Sequence, residues 1–120
     1  MADHKPDVDE TETLISSQKV ENTHVFDVDG KPLGRIYSFM INKKSGYVQY
    51  AVLTFGGFLG LGKDHYPIPW KRLEYNIEYQ GYVAHIDPKK LTGAPHHVAD
   101  CEPVYSPAYD VLVNQYYGIV

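Results

Sequence analysis

Between Gly46 and Trp70 the chain reads Gly-Tyr-Val-Gln-Tyr-Ala-Val-Leu-Thr-Phe-Gly-Gly-Phe-Leu-Gly-Leu-Gly-Lys-Asp-His-Tyr-Pro-Ile-Pro-Trp, and this stretch decides the fold. Ser45 to Gly62 is an uncharged run of 18 residues, close to the shortest length that spans a membrane as a helix. Gly46, Gly56, Gly57, Gly60 and Gly62 interrupt it, and glycine at that density weakens a helix. Tyr47 to Phe55 is rich in β-branched and aromatic residues and reads as a strand, with Val48, Tyr50 and Val52 alternating against Gln49, Ala51 and Leu53. No membrane span is expected. The glycines after Phe55 form an irregular loop, and His65 to Pro69 is a short extended piece. Its two prolines restrict it to a sheet edge or a strand end.

Strand and turn signals continue on both sides of this stretch. His24 to Val28 reads as a short strand, and Asp29-Gly30 is a tight-turn signal. A second strand runs from about Leu33 to Asn42. Ile36, Ser38 and Met40 fall on one face and Tyr37, Phe39 and Ile41 on the other, so both faces are largely apolar. That suits a barrel strand covered on its outside. Trp70 to Leu73 fits one helical turn, and Tyr75 to Gln80 with Tyr82 to Ile86 fits a hairpin around Gly81. Asp87-Pro88 and Ser106-Pro107 are both helix starts, an N-cap followed by proline at the first position. Ala108, Val111, Leu112 and Tyr116 make an apolar helical stripe, and Gly118 is a natural stop.

These elements divide the chain into an acidic, disordered leader (1–13), a barrel domain (14–95), and a linker with a C-terminal helix (96–120). The expected fold is all-β: a small barrel of about six strands with a short helical turn and a C-terminal helix. A length of 120 residues fits one core, and 43% hydrophobic with 22% charged residues is an ordinary globular balance.

Charge argues against nucleic acid as a partner. The net charge is −4, and the first thirteen residues carry all of it: five acids (Asp3, Asp7, Asp9, Glu10, Glu12) against Lys5. The remaining acids and bases balance, whereas nucleic-acid surfaces need clustered excess base. The single cysteine, Cys101, permits no intrachain disulfide and fits a reducing, cytoplasmic setting. The acidic N-terminus lacks the basic and apolar regions of a signal peptide.

Three ordered elements carry a family resemblance. Val25 to Gly34 reads Val-Phe-Asp-Val-Asp-Gly-Lys-Pro-Leu-Gly and leads into Ile36. Gly46 to Leu53 is a glycine followed by a strand with an aromatic-x-Val core. Gly56 to Lys63 is a glycine loop that precedes Tyr66-Pro67-Ile68-Pro69-Trp70. From Leu14 to Pro95 the chain resembles the PRC-barrel family. The resemblance implies a small barrel of about six strands with Greek-key-like connections. The family includes the cytoplasmic domain of the H subunit of the bacterial photosynthetic reaction centre and the C-terminal domain of a ribosome-maturation factor, both of which act through protein contacts. The chain looks like the stand-alone bacterial members. The expected function is a non-enzymatic protein-binding or assembly module, homodimeric, with a further protein partner unidentified.

The motifs with chemical content fall short in their spacing. Gly57 to Lys63 fits Gly-x-x-x-x-Gly-Lys of phosphate loops, but Asp64 stands where a magnesium-binding Ser or Thr belongs, and the next residues are extended rather than helical. Asp27-x-Asp29-Gly30 resembles the start of a calcium loop, yet Ser38 occupies the position of the closing glutamate. His96, His97 and Cys101 are the weak metal candidates, too few for a zinc site without help from elsewhere. No serine or cysteine sits in a nucleophile signature. No catalytic residue and no cofactor is therefore expected. The alternative reading is a small-ligand or metal-binding, enzyme-like protein using the barrel mouth and the His96 region. The candidate interface residues are Phe58, Leu59 and Leu61 of the glycine loop, Trp70, and Leu112 and Tyr116 of the C-terminal helix. Trp70 reads first as a plug over one barrel end.

Overall fold

A computed structural model describes residues 13–55, 64–98 and 103–119. The expected leader lies almost wholly outside them. After a single helical turn, α1 (Ser17–Val20), come β1 (His24–Phe26), β2 (Pro32–Ile41), β3 (Val48–Phe55), β4 (His65–Pro69), β5 (Leu73–Asn76) and β6 (Gly81–Ala84). A 3-10 turn (Trp70–Arg72) joins β4 to β5, another (Pro88–Gly93) follows β6, and α2 (Pro107–Tyr116) closes the order. The six strands make one sheet in the order β4-β3-β2-β1-β6-β5. Among the described residues only the β1–β6 pair is parallel. The sheet curls into a half-barrel.

Local chemistry explains the connections. The Asp27 side chain is buried, and its Oδ1 accepts the backbone N–H groups of Asp29 (2.8 Å) and Lys31 (2.9 Å). Gly30 takes φ +84°, which suits a residue without Cβ. The calcium-like pattern thus serves to build a turn. The Asp87 carboxylate caps the second 3-10 turn through Lys89 N–H, and Ser106 caps α2 through Tyr109 N–H. Gly118 stops α2 at φ +70°.

β4 is an edge strand, as its prolines require. His65 turns its backbone away from β3 and exchanges both N–H···O bonds with His97, at 2.8 and 3.0 Å. Residues two and four further along share that orientation. They are Pro67 and Pro69, which have no N–H to leave unpaired, so the edge offers little to a stray strand.

The alternation expected of β2 is broken. Register shifts fall between Ile36 and Ser38 and again between Met40 and Ile41. With Tyr37 bulged, Ile36 is fully buried and Phe39 also reaches the core, while Met40 and Ile41 are exposed. The β5–β6 hairpin turns over residues 77–80 rather than around Gly81. Asn76 Oδ1 accepts Tyr79 N–H at 3.0 Å, and Gln80 takes φ +52°. Gly81 is instead a strand residue where β1 and β6 approach closely. A Cβ there would lie 2.5 Å from the His24 carbonyl oxygen.

One core cluster joins sheet and helix: Val25, Ile36, Leu53 and Ile68 from the strands, Leu91 from the second 3-10 turn, and Val113 and Tyr117 from the α2 end. This corrects the expected stripe. The inward positions are Val113 and Tyr117, with Tyr109 and Tyr116 packed beside them, whereas Ala108, Val111 and Leu112 face outward. Both sets have helical spacing. The inward set presents aromatic bulk to the open side of the half-barrel.

Candidate interaction surface

The helix α2 is fixed at both ends. At its start the Asp110 carboxylate accepts from the Tyr50 hydroxyl, from Gln49 Nε2 (2.6 Å) and from Asn114 Nδ2 (3.3 Å). Gln49 and Tyr50 belong to β3, so this network docks the first turn on the sheet. Burial pushes the Tyr50 phenol well up from its ordinary pKa, and the hydrogen bond to Asp110 adds to the shift. At the other end Arg72 donates to the Tyr117 carbonyl at 2.6 Å. A cation there complements the helix dipole and satisfies a terminal carbonyl. The Tyr116 hydroxyl donates to the Lys90 carbonyl, and Lys90 Nζ lies 5.9 Å from the Tyr116 ring centre. Burial also raises the Tyr117 phenol.

With its inner side sunk in the core, the helix presents Val111 and Leu112 to solvent at 52% and 54% exposure. Beside Leu112 an open groove of about 560 Å³ runs between α2 and the segment Gly93 to His96, with Tyr116 and Gln115 on its helix wall and Ala94 and Pro95 opposite. The groove thus brings together two expected interface residues, Leu112 and Tyr116, with one expected metal candidate, His96.

The other candidates are dispersed. Trp70 is half-buried at the head of its 3-10 turn, its ring 5.3 Å from that of Tyr82 and packed on the core. Phe58, Leu59, Leu61 and Cys101 lie outside the described residues. His96 and His97 are neighbours in an extended segment and point apart. His96 stacks on Tyr66 at 5.0 Å, its Nδ1 lies 2.9 Å from the Ala94 carbonyl oxygen, and its Nε2 is 3.4 Å from Asp64. His97 turns to the opposite side and packs edge-on against His65 at 5.4 Å. Among the described residues no three His, Cys, Asp or Glu side chains are grouped to hold a metal ion. Among the same residues no helix is long and apolar enough to cross a membrane.

Residues 12–91 match the model of the PRC-barrel domain. The chain belongs to the PRC-barrel family. No curated protein matches the chain. The matched span takes in all six strands and ends at Leu91, inside the second 3-10 turn. The groove and α2 therefore lie beyond the part that defines a PRC-barrel. Membership points to a general protein-interaction or assembly role in a family that is generally non-catalytic. The Asp110–Tyr50 and Arg72–Tyr117 clamps were not foreseen. Their partners stand 60 and 45 residues apart, and no local pattern announces either.

Proposed function

We propose that this PRC-barrel protein is a non-catalytic binding and assembly module, that it works in the cytoplasm as a homodimer, and that the outer side of α2 with its groove is the contact surface. One observation carries this reading. Val111 and Leu112 stand in solvent on a helix held rigidly at both ends, next to an open groove with aliphatic and aromatic walls. Apolar surface of that kind marks an interface, and two-fold pairing is the commonest way to cover it. A second copy suits the place because α2 can supply both halves of the contact: its own Leu112 fits a groove that the same helix lines in the partner. Acids and bases balance outside the first thirteen residues, so two copies meet without net repulsion. Phe58, Leu59 and Leu61 are assigned to the same role on their sequence alone, and a further protein partner would use whatever apolar surface the dimer leaves open.

The test is sedimentation equilibrium of the intact chain at tens of micromolar, beside Leu112→Glu. The reading expects a dimer for the first and a folded monomer for the second. A monomeric intact chain rejects the homodimer, and an undisturbed Leu112→Glu dimer rejects α2 as its surface.

A further inference from the structure

A row of polar side chains crosses the sheet at right angles to the strands. His24 of β1 pairs with Arg35 of β2, Arg35 with Thr54 of β3, and Thr54 with His65 of β4. Residues directly paired on neighbouring strands project from the same face, so the four stand side by side. One end is closed: His65 is buried, with the Tyr37 ring 4.2 Å from its own. The other end is open. His24 and Arg35 are exposed, Thr54 is half-buried, and all three line a cleft of about 350 Å³ whose remaining walls are Pro32, Leu33, Gly34 and Phe55. Among the described residues no carboxylate lines this cleft. Among the described residues the Arg35 guanidinium makes neither an ion pair nor a hydrogen bond.

We propose that the cleft binds a small organic carboxylate, a monoanion with an apolar body. Each part of the ligand has its counterpart. The planar guanidinium of Arg35 matches a carboxylate through two parallel N–H···O bonds. The Thr54 hydroxyl and the His24 imidazole stand on either side of it in the row. Exposed Pro32 and the edges of the otherwise buried Leu33 and Phe55 offer apolar wall to the rest of the molecule. The volume falls at the small end of the about 300–1,000 Å³ typical of ligand sites. A phosphate fits less well. It carries more charge than one arginine balances, and it favours helix N-termini or nests of free backbone N–H groups, whereas β2 and β3 here use theirs in the sheet ladder. The site lies inside the PRC-barrel span and shares no residue with the α2 groove, so it stands or falls independently of the dimer.

The test is a titration of the 15N-labelled full chain with phenylacetate, followed by NMR, with benzyl alcohol and inorganic phosphate as parallel arms. Saturable shifts at the amides of Leu33, Gly34, Arg35, Thr54 and Phe55 are expected. Arg35→Gln should weaken binding about tenfold or more, the scale of a lost charge-assisted hydrogen bond. Arg35→Lys keeps the charge without the fork and should fall between the two. Arg35 is exposed, so both variants should keep the remainder of the spectrum. The proposal is overturned by absence of saturation, by undiminished binding to Arg35→Gln, by benzyl alcohol binding as tightly as phenylacetate, or by phosphate binding more tightly.

Discussion

Truncating Val113 to alanine should destabilise this domain far more than truncating its neighbour Leu112, although leucine is the larger residue. Val113 is fully buried in the cluster that joins α2 to the sheet, while Leu112 is 54% exposed. Val113→Ala removes two methyl groups, each worth about 0.8 kcal/mol of transfer free energy, and leaves a cavity that a helix clamped at both ends cannot close. Together these give a loss of about 2–3 kcal/mol. Leu112→Ala removes groups already half in water, and surface changes of that kind stay within about 0.5 kcal/mol. For a domain of this size the first loss corresponds to a fall in Tm of about 10 °C or more. The assay is urea unfolding of each variant at several protein concentrations. Extrapolation to low concentration removes the stability that self-association adds through mass action. If Leu112→Ala then proves the more damaging change, the orientation assigned to α2 is wrong, and with it the interaction surface.

Three further outcomes follow from the same contacts. Asp27→Ala should cost about 1–3 kcal/mol, because two backbone N–H groups of the turn lose the buried carboxylate that accepts them; hydrogen exchange at the Asp29 and Lys31 amides should quicken, and unchanged exchange would contradict the turn. Gly81→Ala should destabilise by at least about 1–3 kcal/mol through the clash with the His24 carbonyl, read from the unfolding midpoint. Tyr50, Tyr66, Tyr109 and Tyr117 all have phenols raised by burial. A raised folded-state pKa adds stability that is complete below the ordinary tyrosine value of about 10 and is lost as pH climbs through the folded value. Stability should therefore decline on the alkaline side above that pH. Absorbance titration should show these phenols ionising together with unfolding, and their early ionisation in the folded protein would refute the burial.

What the sequence disclosed was whatever local chemistry enforces. Asp29-Gly30, Asp87-Pro88 and Ser106-Pro107 each specify a turn or a cap within four residues, and each stands where it was read. Pro67 and Pro69 placed β4 at an edge because a missing N–H has the same consequence in any sheet. The β2 bulges were not legible, since Tyr37 is displaced by the demand that both Ile36 and Phe39 reach a core built by other strands. The face of α2 was equally hidden. Tyr109, Val113, Tyr116 and Tyr117 form one helical stripe and Ala108, Val111, Leu112 and Tyr116 another, and only the half-barrel they meet decides between them. Of the candidate site, Leu112 and Tyr116 could be named from the sequence, but the groove between them and Ala94 depends on a tertiary contact. The polar row His24–Arg35–Thr54 depends on the register of three strands and could not be read from any one of them.

If two copies meet through the outer side of α2, residues of the two helices and grooves must touch across the dimer. The most direct test mixes 13C-labelled with unlabelled chains and records only the NOEs that pass between them. Pairing through α2 requires intermolecular NOEs from the methyl groups of Val111 and Leu112 to the Ala94, Pro95 and Tyr116 side of the partner's groove. Intermolecular NOEs confined to other exposed apolar residues, such as Ile77 at the β5–β6 turn, would contradict it, and so would a mixed sample that shows none at all.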